Sequence, residues 1–183
     1  MTSSYDRKGT TGSFAIMVDV STHIRRGHPA FMGALLLFAI IEGCITAYLV
    51  AQFNDDDTYP SHSYRDRLKF LVFTSWWTVV FAAAYMAAFL AAAGSFVSSI
   101  ASHLAIWTVT WIFWLAAAAS YTAALGGGMR CSVSDVAHCS SLVAAEAFAW
   151  IEWIIMTIFF IFLLTIAGAA LRRGDRLSAE LAV

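Results

Sequence analysis

The sequence predicts an all-α integral membrane protein that folds as a four-helix transmembrane bundle. Of its 183 residues, 60% are hydrophobic, whereas a soluble domain averages about 45–50%. Charged residues make up only 13%, which leaves too little polar surface to cover a water-soluble core. The apolar residues fall into four long stretches, and a helix needs about 20 such residues to cross a bilayer. The fold class follows from these three observations.

The first two spans are predicted at residues 30–53 and 70–93. Pro29 precedes the first span, and proline is tolerated in the first turn of a helix because the N–H it lacks is unpaired there anyway. The acidic run from Asn54 to Asp57 ends that span. The next uncharged run, Phe70 to Ser102, is too long for one upright helix and too short for two. Gly94-Ser95 breaks it, so the helix is expected to end at Ala93.

The last two spans are predicted at residues 103–125 and 143–171. The third ends at Gly126-Gly127-Gly128, since glycine has very low helix propensity. The fourth ends at Arg172-Arg173. His103 opens the third span, and we interpret it as an end residue rather than a ligand.

Four spans place both termini on one side of the membrane, in an M-shaped topology. Lys and Arg residues near the spans favour the cytoplasmic side, and the terminal side holds seven against four. The seven are Arg7, Lys8, Arg25, Arg26, Arg172, Arg173 and Arg176, and the four are Arg65, Arg67, Lys69 and Arg130. The termini are therefore predicted to be cytoplasmic.

This topology divides the chain into three parts: a cytoplasmic N-terminal segment (1–28), the transmembrane domain (29–173) and a cytoplasmic tail (174–183). The N-terminal segment has two interpretations. Phe14, Met17, Val18 and Ile24 fall roughly on one helical face, as in a helix that lies in the membrane interface. The alternative is a disordered tail.

Two of the three cysteines, Cys131 and Cys139, lie in the third loop, and Cys44 lies within the first span. The predicted topology puts the third loop outside the cytoplasm, where disulfides persist. A Cys131–Cys139 disulfide is therefore expected, with two free thiols as the alternative. A metal site is not predicted, because His138 is adjacent but no further Cys or His cluster completes four ligands.

Small residues and tryptophans indicate how the helices pack. In lipid, helices associate through small residues and interhelical hydrogen bonds. Ala84, Ala88 and Ala92 on the second helix, and Ala116, Ser120 and Ala124 on the third, form stripes that predict close approach of these two helices or, alternatively, a dimer face. Trp111, Trp114 and Trp153 are expected to fill the bundle, with their indole N–H groups bonded to Thr, Ser or Glu. A groove for sterol or acyl chains lined by these tryptophans and by Trp150 is the alternative.

Three carboxylic acids, Glu42, Glu146 and Glu152, fall within the predicted spans. An ionisable group in a span is costly and usually faces the bundle interior or a wet cavity. Glu146 and Glu152 are roughly 120° apart around the helix axis, so they do not share a narrow face. No Lys or Arg lies at their depth, so each acid is expected to be neutral or hydrogen-bonded. Three roles remain open: interhelical hydrogen bonding, a proton- or cation-coupled site, and a subunit contact.

Several functional classes lack their motifs in this sequence. A haem bundle needs pairs of His deep in the spans, and a quinone-linked thiol oxidoreductase needs Cys-x-x-Cys. No Ser-His-Asp set or metal-ligand cluster is visible, and no basic run suits nucleic acid. We therefore predict no catalytic residues, no cofactor, no metal and no nucleic-acid partner. A small multidrug exporter, with four helices and an acid in the first, is the best competing class. Those chains are much shorter and lack acids in the fourth helix.

The stretch from the third to the fourth span resembles the MARVEL-domain proteins, particularly their fungal branch. The matching features are Ala118 to Ala124 at the end of the third span, the cysteines Cys131 and Cys139, and Leu142 to Trp150 at the start of the fourth. The resemblance covers about Pro29 to Arg173. It implies an M-shaped four-helix bundle with roles in membrane apposition, sterol-rich microdomains, vesicle traffic and plasma-membrane organisation, without catalysis.

Taken with the residues, the resemblance predicts a non-enzymatic membrane-organising protein that contacts lipid, including sterol, and assembles as a homo-oligomer. Its expected location is the plasma membrane or the secretory and endosomal membranes. The alternative is a small proton- or cation-coupled transporter or channel that uses the intramembrane acids.

Overall fold

The computed structural model describes residues 8–56, 59, 61–91, 99–128, 131, 136–172 and 174, with side chains from residue 29 onwards except at 89 and 170. Within that part of the chain, four α-helices form: α1 (Lys8–Asp55), α2 (His62–Leu90), α3 (Ile100–Ala124) and α4 (Cys139–Arg172). Each contains a segment long and apolar enough to cross a membrane: Pro29–Asp55, His62–Ala88, Ile100–Ala124 and Cys139–Ala169. The predicted all-α, four-span architecture is confirmed.

The four helices form a closed ring. Each packs against the next helix along the chain, and α4 returns to pack against α1. We call the end of the bundle where α1 and α3 finish the disulfide end, because Cys131 and Cys139 lie there. The opposite end, where α2 and α4 finish, is called the terminal end. The alternation of direction places the first residues of α1 and the last residues of α4 at the same end, as the M-shaped topology requires.

The core is built from one buried seam on each helix. Within each seam, buried residues recur in alternating steps of three and four. This spacing of 3.5 residues on average is the heptad pattern of left-handed helix packing. The seams are Met32, Leu35, Ala39, Glu42, Thr46, Leu49 and Phe53 on α1; Tyr64, Leu68, Leu71, Ser75, Thr78, Ala82 and Tyr85 on α2; Ile100, His103, Trp107, Thr110, Trp114, Ala117 and Tyr121 on α3; and Leu142, Ala145, Ala149, Glu152, Met156, Phe159 and Leu163 on α4.

The start of α1 differs from the prediction. We expected a helix that begins at about Ala30 with Pro29 in its first turn, but α1 begins at Lys8 and contains Pro29 in its interior. Proline removes one backbone hydrogen bond, which disfavours but does not prevent a continuous helix. The helical backbone of residues 8–28 argues against the disordered-tail interpretation. The side chains of Phe14, Met17, Val18 and Ile24 lie outside the described residues, so the interfacial placement stays a prediction.

The start of α2 also differs, since the helix begins at His62 rather than at Phe70. Ser61 caps it, because its hydroxyl oxygen accepts a hydrogen bond from the Tyr64 N–H at 3.1 Å. The basic residues that we assigned to a loop therefore lie in the first two turns of the helix. Arg67 donates from Nη1 to the Ser120 carbonyl of α3 at 3.0 Å. The charged residues of the sequence mark the edge of the membrane's hydrocarbon core, whereas the capping serine determines where the helix itself begins.

The remaining helix ends follow from local sequence. Ser99 caps α3 by accepting from the Ser102 N–H at 3.2 Å, so α3 begins slightly before the predicted residue. At the other end of α3, Gly126 adopts φ +78° and donates to the Ala123 carbonyl, while Gly127 donates to the Thr122 carbonyl. This pair of bonds is a Schellman motif, which requires the left-handed conformation that glycine adopts easily. The predicted glycine stop is confirmed.

The disulfide end is held together by a covalent bond and by aromatic packing. Cys131 and Cys139 form the predicted disulfide, with Sγ–Sγ 1.99 Å. Because Cys139 is the first residue of α4, the bond ties the third loop to the start of that helix. The adjacent His138 packs edge-on against Tyr48 and Phe53 of α1, with ring centroids 5.8 and 6.2 Å apart. The third loop therefore contacts α1 as well as α4.

The small-residue stripes do not bring α2 and α3 together. The stripe that begins at Ala84 lies near the terminal end, whereas the stripe from Ala116 to Ala124 lies near the disulfide end. Two antiparallel helices cannot match stripes at opposite depths. Helices α2 and α3 do pack together, as predicted, but not through these stripes. Ala84 and Ala116 are exposed on the outer surface instead. The two helices pack through aromatic and hydroxyl side chains, described below.

Candidate functional site

Buried polar side chains gather midway along the bundle. Glu42, Ser75, Thr110 and Glu152 each occupy the middle position of the buried seam on their helix. Further hydroxyl groups surround these four positions. We call the whole set the central polar layer; it comprises Glu42, Thr46, Thr74, Ser75, Thr78, Thr110 and Glu152, all with 0% exposure. Polar groups at this depth are costly in hydrocarbon, so the layer is the strongest candidate for a functional site.

Interhelical contacts confirm that these residues share one depth. A Cβ placed on Gly43, next to Glu42, would meet the Ser75 Cβ of α2 at 3.3 Å. On the other side of α2, Thr78 bonds to Trp114 of α3. The ring of Trp111 on α3 contacts the ring of Trp153 on α4. These two tryptophans directly follow Thr110 and Glu152, so the two layer residues lie at the same depth.

Glu42 and Glu152 are the two acids of the layer. Their helices pack together, and each acid occupies the middle position of the buried seam on its helix. None of their four carboxyl oxygens has a hydrogen-bond partner among the described residues. Both acids therefore face the bundle interior, without a basic counterpart.

Glu146 is set apart from this pair. It is only half-buried, and it lies almost two turns closer than Glu152 to the disulfide end of α4. The sequence predicted that Glu146 and Glu152 would not share a face, and their burial agrees with that prediction. The three acids thus do not form one site.

Most hydroxyl groups of the layer already donate to their own helix. Ser75 donates to the Leu71 carbonyl at 2.8 Å, and Thr46 donates to the Glu42 carbonyl at 2.7 Å. Thr78 and Thr110 donate in the same way to the carbonyls four residues earlier. This back-bonding is common for hydroxyl side chains within helices. It leaves the hydroxyl oxygen free to accept a second bond from a neighbouring helix.

Tryptophan indole groups use these free acceptors to connect the helices. The N–H groups of Trp77 and Trp114 form bonds in opposite directions between α2 and α3. The four bonds are Trp77 to Thr110 at 3.0 Å, Trp114 to Thr78 at 2.9 Å, Trp111 to Thr157 at 2.9 Å and Trp150 to Thr122 at 2.9 Å. The last two join α3 to α4. Helix α3 is therefore the hydrogen-bonding centre of the bundle.

The predicted role of the tryptophans is confirmed in part. Trp111 and Trp114 bond to threonine hydroxyls, as expected, whereas the indole nitrogen of Trp153 has no partner among the described residues. Trp150, for which no such bond was predicted, also bonds to a threonine hydroxyl. Trp114 is fully buried, so it cannot line a groove open to lipid, and that assignment was wrong. Periodicity around a single helix cannot show which face a neighbouring helix covers.

The other three tryptophans remain half-buried along the seam between α3 and α4. Trp153 lies between Trp111 and Trp150, with ring centroids 6.1 and 5.7 Å apart. Phe160 stacks on Trp111 with an interplanar angle of 17°. We call these four side chains the aromatic wall.

The polar residues at the terminal end of α3 have a local role. His103 is buried, and its Nδ1 lies 3.1 Å from the Ser99 carbonyl oxygen of the preceding turn. Tyr85 of α2 packs edge-on against the His103 ring and bonds to the Ser102 hydroxyl. His103 is therefore an end residue of α3, as predicted. Within the described residues, no three His, Cys, Asp or Glu side chains meet in a way that could hold a metal ion.

A family model for MARVEL, the membrane-associating domain, matches residues 24–165. The chain belongs to the MARVEL family. The match spans all four helices and the disulfide loop, so the resemblance found at the third and fourth spans is confirmed. The search of curated proteins and the search of solved structures returned no match. The chain is thus an integral, multi-pass membrane protein of a membrane-associating family.

The hydroxyl residues of this MARVEL domain were missed by the sequence analysis. Thr74, Ser75, Thr78 and Thr110 were not singled out, although they form most of the central polar layer. A signal was present, because Ser75 and Thr78 continue the three-and-four spacing of the core positions on α2. A polar residue at a core position of a span therefore indicates the layer even without an acid.

Proposed function

We propose that this MARVEL protein is a non-enzymatic membrane organiser that acts as a homo-oligomer and contacts lipid. The observation that carries the proposal is a contrast between two outer faces of the bundle. Exposed positions on α4 include Ile151, Ile154, Ile158 and Ile161, all bulky. The last two turns of α3 expose only the small residues Ala116, Ala119 and Ala123, which we call the small face of α3, whereas the exposed positions before them include Val109 and Ile112.

The small face of α3 fits a second copy of the chain. Lipid chains solvate bulky aliphatic side chains well, whereas small residues let two helix backbones approach closely. The exposed positions of α3 recur in steps of three and four, and two copies of such a face are complementary across a two-fold axis. Within the bundle this face contacts no other described helix. A self-associating face would concentrate copies of the protein into patches, which is the basis of the organising role.

Oligomerisation can be tested in lipid bilayers by single-molecule photobleaching or by energy transfer between labelled copies. We expect Ala116→Leu with Ala119→Leu to shift the population towards monomer. The matched control is Ala147→Leu, which enlarges an exposed alanine on the bulky face of α4. An unchanged oligomer in the α3 variant, or an equal loss in the control, would contradict the proposed face.

The aromatic wall supports lipid contact in the same proposal. Flat ring faces at the α3–α4 seam offer a surface on which a rigid sterol or an acyl chain packs. A photoreactive sterol in vesicles should label the peptides of α3 and α4, and Trp111→Leu with Trp153→Leu should reduce that labelling. Trp76→Leu is the control, because Trp76 is exposed on α2, away from the wall. Equal labelling of all three proteins would remove sterol from the proposal.

We also propose a membrane location and orientation for the protein, and we consider transport as an alternative function. The cytoplasmic termini and a plasma-membrane or secretory and endosomal location rest on the distribution of basic residues and on the family. The alternative, a proton- or cation-coupled transporter, is favoured by Glu42 and Glu152 at the bundle centre. A transporter also needs a polar path, whereas the described core on both sides of the layer is mostly apolar. Absence of pH-driven flux in proteoliposomes would dismiss the transporter, and flux abolished by Glu42→Gln would establish it.

A further inference from the structure

Glu42 and Glu152 are ionisable groups that no described residue neutralises. Both are fully buried, at the middle positions of the seams of two helices that pack together. An unpaired charge in a low-dielectric interior carries a large desolvation penalty. Two carboxylates side by side would add mutual repulsion to that penalty.

No described side chain of α2 or α3 supplies a counter-charge at this depth. The layer residues of α2 and α3 are hydroxyl groups, and Trp114 beside them is neutral. Other titratable side chains lie nearer the ends of these helices: Tyr64 and Tyr121 towards the disulfide end, with Tyr121 close enough to interact with Glu42, and Tyr85 and His103 towards the terminal end. The described basic side chains lie at helix ends, namely Arg65, Arg67, Lys69 and Arg172.

Five polar atoms of the central polar layer have no hydrogen-bond partner among the described residues. They are the four carboxyl oxygens and the Thr74 hydroxyl oxygen, which is also fully buried and without a hydrogen-bond partner. The hydroxyl groups of Thr46, Ser75 and Thr78 already donate to backbone carbonyls, so they have no hydrogen left to offer. An ionised carboxylate only accepts, whereas a protonated one also donates. A proton on one carboxyl group therefore removes its negative charge and adds a donor to the layer, where the Thr74 hydroxyl is the one described hydroxyl group not already bonded to a backbone carbonyl.

We propose that Glu42 and Glu152 form an occluded proton-binding site, in which at least one of the two carboxyl groups carries a proton. This inference goes beyond the membrane-organising function and does not depend on it. The flanking core positions are apolar, for example Ala39 and Met156 on one side and Leu49 and Ala145 on the other. The proton is consequently held rather than conducted. Its loss would place like charges between α1 and α4 and weaken their contact.

Infrared spectroscopy of the full chain in lipid vesicles tests the protonation directly. The chain contains four glutamates, so ¹³C labelling of glutamate carboxyl groups isolates very few signals. At neutral pH we expect the carbonyl band of a protonated carboxylic acid in the labelled wild-type protein. The band should disappear in Glu42→Gln/Glu152→Gln and remain in the matched control Glu146→Gln. Wild-type protein that shows only carboxylate bands, including bands shifted by added Na⁺ or Ca²⁺, would overturn the proposal.

The dependence of stability on pH supplies a second readout. Because the folded layer retains a proton that the unfolded chain releases at the ordinary pKa of glutamate, about 4.3, the wild-type bundle should be most stable below that pH and should lose stability as the pH rises above it. Glutamine keeps hydrogen-bonding capacity but cannot ionise, so the double glutamine variant should lack that loss. If that variant fails to fold, the wild-type spectrum still decides the matter. A loss of equal size over the same pH range in a folded double variant would refute the proton site.

Discussion

Helices α3 and α1 are joined to their neighbours in different ways. Helix α3 forms two indole–hydroxyl bonds with α2 and two with α4, and the loop that follows it is closed by a disulfide. Helix α1 contributes no such bond within the described part of the chain. It relies on close backbone packing at Gly43, on aromatic contacts such as Phe31 with Phe159, and on the acid pair. The half of the bundle around α3 is therefore held by directional hydrogen bonds, and we call it the directional half. The half around α1 is held by side-chain packing and by the protonated acid pair, and we call it the packing half.

The largest expected effect is the loss of Trp114 from the directional half. This indole is fully buried and bonded to Thr78, so Trp114→Ala leaves a cavity and an unpaired site. We expect a cost of about 3–5 kcal/mol in the free energy of unfolding. The control is Trp76→Ala, since Trp76 is 45% exposed and should cost far less. Reversible unfolding in lipid or detergent measures both, and similar costs would show that α3 is not the centre of the bundle.

The next effect concerns the disulfide. Cys131→Ser/Cys139→Ser removes a cross-link that closes a short loop, and we expect a loss of about 2–3 kcal/mol on the loop-entropy model. Thiol labelling checks the bond itself. In denatured, unreduced protein only Cys44 should react with a maleimide, and reduction should expose the other two thiols. Labelling of all three cysteines without reductant would show that the bond does not form.

The packing half is probed by Gly43→Leu. A Cβ added at this position would lie 3.3 Å from the Ser75 Cβ and 3.5 Å from the Trp76 ring, so a larger side chain should push α1 away from α2. We expect a cost of about 1–3 kcal/mol from overpacking. Gly33→Leu is the matched control, because no atom lies within 4 Å of its added Cβ. Equal costs at both glycines would show that α1 does not depend on close approach.

The smallest effect is expected for a single interhelical hydrogen bond. Thr78→Val keeps the shape of the side chain but removes the acceptor of the Trp114 indole, at a cost of about 0.6 kcal/mol. The change should also move the indole N–H resonance of Trp114 in NMR spectra. Thr108→Val is the control, since the Thr108 hydroxyl bonds only to the Leu104 carbonyl of its own helix. An unmoved Trp114 resonance would contradict the bond.

The sequence predicted the parts of this fold that depend on composition and local chemistry. Four apolar stretches indicated four spans, the glycine run marked the end of α3, and two cysteines in one loop indicated the disulfide. Helix starts were less accurate, because hydropathy reports the membrane boundary while Ser61 and Ser99 fix where the helices begin. The starts at His62 and Ile100 follow from those caps.

The site was predicted less completely than the fold. Glu42 and Glu152 could be identified from the sequence because an acidic side chain within a membrane span carries a high free-energy cost and is therefore conspicuous. Their proximity depends on how α4 packs against α1, which no single-helix pattern contains. The burial of Trp114 and the pairing of indoles with threonines have the same origin, because they depend on which faces the ring of helices brings together.

The proximity of the two acids is the central claim, and solid-state NMR in lipid bilayers tests it most directly. With ¹³C-labelled glutamate carboxyl groups, we predict a through-space correlation between the signals of Glu42 and Glu152. Each signal is assigned by its loss in the corresponding glutamine variant. Glu146 should give no correlation with either. Separate, uncorrelated signals for Glu42 and Glu152 would contradict a shared layer at the centre of the bundle.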